Sequence, residues 1–210
     1  AILPVEMSVE RFNWLQNIAD EVIGTPGCES DVYEIFEKVK EIRRTRHDAV
    51  IFNQFEEMGN VLWHYHVTGP ALEEVYEEVK TENSRLFGVF FTSGSAGTMS
   101  AGDYLKDHYP RIKVAVGEAL QCPTILNNGF GRHRIEGIGD KHIPFVHNIK
   151  NTDLVAAIDD NNSQNLLRLF NEEVGHEYLR KQSGLTDEFL KQLPLLGISG
   201  IANILGAIKM

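Results

Sequence analysis

Cysteine is scarce in this chain of 210 residues: only Cys28 and Cys122 occur, far apart in sequence. Two such residues build no disulfide framework and match no metal-ligand spacing, and neither has an activating neighbour, so structural thiols in a reducing compartment, the cytoplasm, are expected. Clustered basic charge is missing as well. Thirty acidic against twenty basic residues give a formal net charge of −10 with no Lys/Arg block, which argues against a nucleic-acid partner. No apolar run approaches a membrane span, so no membrane partner is expected. The stretch Ala1–Val5 is too short for a signal peptide and has no basic segment before it. An initiator Met is also absent. The chain opens inside an apolar run and stops in a helical pattern at Ile208–Met210, so it reads as a piece of a larger enzyme, incomplete at both ends.

What is present is an alternation of strand-like and helix-like segments. "AILPV" leads to Ser8, a candidate N-cap, and a helix with Phe12, Leu15 and Ile18 on one face. "EVIGT" passes through Pro26-Gly27 into a helix carrying Val32, Ile35, Phe36, Val39 and Ile42 at the 3.6 period. "DAVIF", "LFGVFFT", "KVAVGEA" and "LLGIS" read as further strands, and a helix with Leu72, Val75, Tyr76 and Val79 follows Gly69-Pro70. Its Glu73, Glu74, Glu77 and Glu78 read as a solvated face. Such alternation predicts an α/β fold: three α/β/α layers around a mainly parallel twisted sheet. Residues 176–194 are more polar and read as a helical insertion.

Between "LFGVFFT" and the next helix lies Ser93-Gly94-Ser95-Ala96-Gly97-Thr98, a run of small residues. A strand, a small-residue turn and a helix start together expose unpaired N–H groups that suit an anion, with hydroxyls to assist. No Lys follows the last Gly, so this is not a Walker loop, and the G-x-x-G spacing is not the dinucleotide fingerprint. The bland alternative is a tight turn needed for helix–sheet packing. Gln54, Thr68, Gly137-Ile138-Gly139 and Gly197–Gly200 all fall where strands are expected to end, the crevice in which open α/β sheets bind ligands.

These stretches, in this order, resemble a known family. Gln54-Phe55, Thr68-Gly69-Pro70, "GSAGT", "GIGDKHIP", "GISG" and the early "EMSVERFNWLQ" are similar to segments of the fold type II pyridoxal-phosphate enzymes, above all the cysteine synthase and cystathionine β-synthase group. The resemblance covers almost the whole chain except 176–194. It implies part of a small domain near the N-terminus plus most of a large domain within residues 1–210, and pyridoxal 5′-phosphate as cofactor. It implies that Gly94, Ser95, Ala96, Gly97 and Thr98 hold the cofactor phosphate, Ala96 standing where the family usually has Gly. Gly137, Ile138 and Gly139 would lie by the cofactor ring, Ser199 would face the pyridine nitrogen, and Gln54 and Thr68 would face the substrate. A neutral hydroxyl at that nitrogen makes the cofactor a weaker electron sink, suited to β-elimination and replacement through an aminoacrylate.

The family's Schiff-base lysine has no counterpart here, since Lys106, Lys113 and Lys141 are not in matching positions. No catalytic residue is assigned, and the 210 residues are expected to be inactive alone. The implied partners are an amino-acid substrate and either a second copy or a complementing piece. Amino-acid deamination, a PLP-dependent thiolase subunit, or a non-catalytic module for a phosphate-bearing ligand stand as alternatives. His64-Tyr65-His66 could place two imidazoles on one side of a strand, but no third metal ligand is spaced to join them, so no metal is expected. His133 and Arg134 read as solvated loop residues.

Overall fold

The computed structural model describes all 210 residues. Its strands are all parallel but form two sheets. Strands β1 (Ile2–Pro4) and β2 (Ile23–Thr25) make the first; β3 (Gly88–Thr92), β4 (Lys113–Ala119) and β5 (Leu154–Ile158) make the second, in that order. Helices α1 (Val9–Ile18) and α2 (Val32–Thr45) accompany the first sheet. Ser8 caps α1 by accepting the Arg11 N–H at 3.4 Å. The helices α3 (Met58–Trp63) and α4 (Gly69–Val79) bridge to the second sheet. There α5 (Met99–His108), α6 (Thr124–Asn127), α7 (Asp160–Asn171), α8 (Glu173–Ser183), α9 (Asp187–Leu190) and α10 (Ile198–Lys209) follow or separate the strands.

The three layers follow from the two-residue period of a strand. Val89 and Phe91 of β3, with Val114 and Val116 of β4, pack on Met99 and Leu105 of α5. The alternate positions, Phe90, Ala119 and Ile158, point the other way and pack on Ile198, Ala202 and Leu205 of α10. Val114, Val116, Ala119 and Ile158 are all essentially without solvent contact. Each of the valine and isoleucine side chains contributes roughly 1.5–3 kcal/mol of burial, so this sheet is the rigid platform of the molecule. Asn203 of α10 extends its order, accepting the Thr92 N–H at 2.7 Å where β3 ends.

Three expected strands or strand placements do not form. "DAVIF" is irregular, and Val50 and Phe52 are 81% and 88% exposed, since no neighbouring strand is offered to them. "LLGIS" is a 3₁₀ turn at Leu193–Leu195 followed by α10; Pro194 within it lacks the N–H and the backbone freedom a sheet strand needs. His64–Thr68 is a π-helical turn, not a strand. Pro70 has no N–H to give the His66 carbonyl, and the turn before it widens. Conversely, β5 and α7 were not anticipated from the sequence. "LVAAI" with Asp159 as N-cap behind it carried that signal: the Asp159 carboxylate accepts the Asn161 and Asn162 N–H groups at 2.9 and 3.1 Å. The polar segment 176–194 is indeed helical, in α8 and α9, with Gly184 in the left-handed region (φ 64°) between them.

Candidate functional site

The chain bends sharply after β3. Ser93 continues the ladder by donating to Gly117 O at 2.9 Å, and then the backbone leaves the sheet. From Gly94 to Thr98, none of the five N–H groups donates to a protein acceptor; the next one, of Met99, bonds to Ala96 O at 3.1 Å and starts α5. Consecutive free N–H groups at the start of a ten-residue helix form an anion-binding nest with the helix dipole behind it. Ala96 takes the left-handed conformation this shape requires, with φ 62°. A Cβ adds strain there, which a Gly would not.

Two neighbours hold the nest open. The Asn60 amide donates both to Ser95 Oγ and to Gln54 O, each at 3.0 Å. A side chain at Gly97 would run into that same amide. On the other side the Gly137–Gly139 loop returns against it: Gly139 N–H donates to Ser93 O at 2.8 Å, and a Cβ on Gly94 would lie 3.0 Å from Gly137 O. Both outer glycines of that loop have positive φ, 95° and 78°. The loop is held from behind by Asp160, whose carboxylate accepts the Arg134 N–H at 2.7 Å.

A cleft of about 1190 Å³ opens between the first sheet and these loops. Among the predicted residues it brings together Gln54, Gly94, Ser95, Gly137 and Ile138. Ala96 and Gly97 lie beneath the nest, buried, and contribute through their backbone. Thr98 and Gly139 sit at its margins and do not line the cleft. Thr68 does not line it either: its hydroxyl pairs with His64 Nδ1 at 2.8 Å within the π turn. Ser199 is in the first turn of α10, whose N-cap is Gly197, and it is likewise outside the cleft wall. The expectation that all these stretches follow strands therefore fails at Gln54, Thr68, Gly137–Gly139 and Ser199; only Gly94–Thr98 directly follows one.

No lysine lines the cleft. Lys106 and Lys113 pair with Asp153 at 2.7 and 3.2 Å, and Lys141 pairs with Asp31. Those two ammonium groups, with the Val114 N–H, hold the Asp153 carboxyl at about 2 despite the opposing effect of burial. Cys28 and Cys122 are both buried, with Sγ atoms 3.3 and 3.6 Å from the Ser30 and Thr124 hydroxyls, and burial raises the Cys122 thiol.

Four polar residues that sequence reasoning passed over complete the site. Asn60 has been described. Asn53 is 5% exposed; its Oδ1 accepts the Phe55 N–H at 3.1 Å, while its Nδ2 has no partner. Glu29 reaches the cleft from the loop after β2 and accepts the Gly137 N–H. Burial outweighs that hydrogen bond and pushes the Glu29 carboxyl up to about 7. Asp140, next to Gly139, is 8% exposed and raised to about 7 by burial, then by the nearby Glu29 charge. Asn53 and Asp140 had visible cues, their places directly before Gln54 and directly after Gly-Ile-Gly. The others are assembled by tertiary contacts that no local spacing encodes.

No family model matches the chain. A cysteine synthase of Staphylococcus aureus is 31% identical over 174 residues, 82% of this chain and 54% of that protein. A probable cysteine synthase of Bacillus subtilis is 30% identical over 83% of this chain and 55% of its own length. The chain thus spans about half the length of the curated relatives it matches. An O-acetylserine-dependent cystathionine β-synthase of Helicobacter pylori superimposes with TM-score 0.73 and 26% identity, over 99% of this chain and 60% of that one. A hydrogen sulfide-producing enzyme solved with an α-aminoacrylate intermediate shares the fold at TM-score 0.79 and 24% identity, over 99% of this chain and 56% of its own. The order of motifs, the parallel three-layer architecture and these relatives agree: the chain belongs to the fold type II pyridoxal-phosphate enzymes, in the group of the cysteine synthases.

Proposed function

We propose that these residues are the cofactor-phosphate half of a pyridoxal-phosphate enzyme that exchanges the β-substituent of a serine-derived amino acid for a thiol nucleophile. The observation that carries the reading is the row of free N–H groups from Gly94 to Thr98 at the helix start, whose first two residues line a cleft. Such a nest suits a phosphate dianion, and the Ser95 hydroxyl stands beside it. The unpartnered Asn53 Nδ2 supplies a further donor in the same cleft. Bound there, the cofactor would supply an electron sink for breaking bonds at the substrate's α and β carbons.

The chain's own residues divide the remaining work. The nest orients the phosphate, Gly94 and Gly137 keep the two loops close, and Ile138 gives an apolar surface. Phe55 on the cleft wall is backed by Phe36 and His142, with ring centroids 5.9–6.2 Å apart. Gln54 lies on the cleft beside Asn53, in position to meet a polar substrate group. The amine that such chemistry needs is not among the cleft residues, so the reading requires it from elsewhere in the complete protein. Cytoplasmic placement and a two-copy assembly go with this reading. The test is direct. The complete protein is titrated with pyridoxal phosphate, the cofactor absorbance is fixed covalently by borohydride, and O-acetylserine with sulfide is supplied. Cofactor capture and cysteine formation are expected. Capture without cysteine would keep the cofactor site and remove the substrate; no capture would remove the reading.

A further inference from the structure

Asp140 is a buried carboxylate that the fold leaves unused. Its Oδ2 has no hydrogen-bond partner, and the residue is 8% exposed on the wall of the cleft. The backbone around it is fixed on every side. Gly139 N–H bonds to Ser93 O at 2.8 Å, the Thr124 hydroxyl donates to Asp140 O at 2.8 Å, and Lys141 N–H donates to Ser30 O at 3.2 Å. The backbone is thus held in place while the carboxylate itself has no partner. The neighbouring cation does not neutralise it, because the Lys141 ammonium is paired with Asp31. The charged group that acts on it is another acid, Glu29, itself tied to the Gly137 N–H. Around Glu29 stand Arg11 and Glu136, paired with each other at 3.4 Å, and His133 contacts Gly139 O at 3.2 Å.

A desolvated carboxyl with no partner costs stability, and a structural role would be served better by Asn or Thr. Such groups concentrate where a proton has to be moved. We infer that Asp140 is the acid–base group of this cleft, passing one proton between the entering nucleophile and the departing β-substituent. The inference rests on the β-replacement reading above. In elimination the Cβ–X bond breaks, X leaves with the bonding pair, and the Asp140 carboxyl gives X its proton. In addition the nucleophile Nu–H forms the Cβ–Nu bond with its own electron pair, and the Asp140 carboxylate takes its proton. The α-proton is removed and returned by another base and cancels, so the sum is R–X + Nu–H to R–Nu + H–X with Asp140 restored. A group that holds its proton to about pH 7 suits both halves near neutrality.

The experiment uses the complete protein with Asp140→Asn, Asp140→Glu and Glu29→Gln. Infrared difference titration without cofactor reads the protonated carboxyl directly. Two carboxyls titrating near neutrality are the expected result, one lost in Asp140→Asn and the other in Glu29→Gln, where the midpoint of the remaining Asp140 band falls. With cofactor and a thiol nucleophile, Asp140→Asn should lose about 100-fold in turnover and its near-neutral pH limb, while Asp140→Glu restores part of both. Cofactor affinity should stay within about twofold, which separates this role from a structural one. No loss of near-neutral carboxyl signal in Asp140→Asn, or full turnover with an unchanged pH profile in that variant, overturns the inference. Failure to bind cofactor in the unsubstituted protein instead overturns the reading on which it rests, and the infrared titration still decides whether Asp140 holds a proton.

Discussion

The two loops that meet over the cleft are built on opposite principles. Gly94–Thr98 offers the ligand backbone: its side chains are small, its N–H groups are free, and its charge comes from a helix end. Gly137–Asp140 offers a side chain: the N–H groups of its two glycines are engaged with Glu29 and Ser93, and what it presents is the Asp140 carboxyl. One loop is suited to holding a fixed negative charge, the other to changing its own. A binding function can thus be written in local composition, whereas an acid–base function has to be written in burial.

The largest effect should come from breaking the first loop electrostatically. Ser95→Asp places a carboxylate in the nest, against the charge it serves, and pyridoxal phosphate affinity is expected to fall by about 100-fold or more. An absorbance titration measures this, and affinity within about threefold of the unsubstituted protein would refute it. Next is the seam between the loops. In Gly94→Ala the new Cβ would sit 3.0 Å from Gly137 O, so the loops must separate by a few tenths of an ångström. A loss of about 1–2 kcal/mol in stability, read by urea unfolding, and weaker cofactor binding are expected.

How much of this could be seen in advance differs between the loops for the same reason. Residues 94–98 were legible because a strand, small residues and a helix are neighbours in sequence. Gln54 does line the cleft, but not because a strand ends there. At Ser199 it was the strand that failed to form: the apolar "LLGIS" leads into α10, and Pro194 just before it spoke against a strand. Glu29 and Asp140 lie 111 positions apart and meet only in the folded chain, and their titration depends on desolvation, which no spacing reports. The core alternation of β3 and β4 was legible; the division of the strands into two sheets was not, because register and partner choice are tertiary facts.

The second loop makes a weaker but signed prediction. Unfolded, Glu29 and Asp140 ionise near their ordinary values of about 4. Folded, they hold protons up to about 7. The folded state therefore binds more protons between these limits. This stabilisation is present in full below about pH 4, declines as pH rises, and is gone above about 7. Thermal melts from pH 5 to 8 should show Tm falling, with the slope reduced in a Glu29→Gln, Asp140→Asn protein; an equal slope in both proteins would contradict the assignment. The smallest effect is expected at Ala96→Gly. Relief of the left-handed strain and loss of a buried methyl plus added chain entropy nearly cancel, leaving stability within about 1 kcal/mol. A larger loss in urea unfolding would mean that the methyl, not the backbone shape, matters at this position.

The central claim is that the free N–H groups of Gly94–Thr98 receive the cofactor's phosphate. Comparing pyridoxal phosphate with pyridoxal in titrations of the complete protein tests it most directly. The account predicts that pyridoxal binds at least about 100-fold more weakly and that inorganic phosphate restores part of its binding. Equal affinity for the two compounds would contradict it.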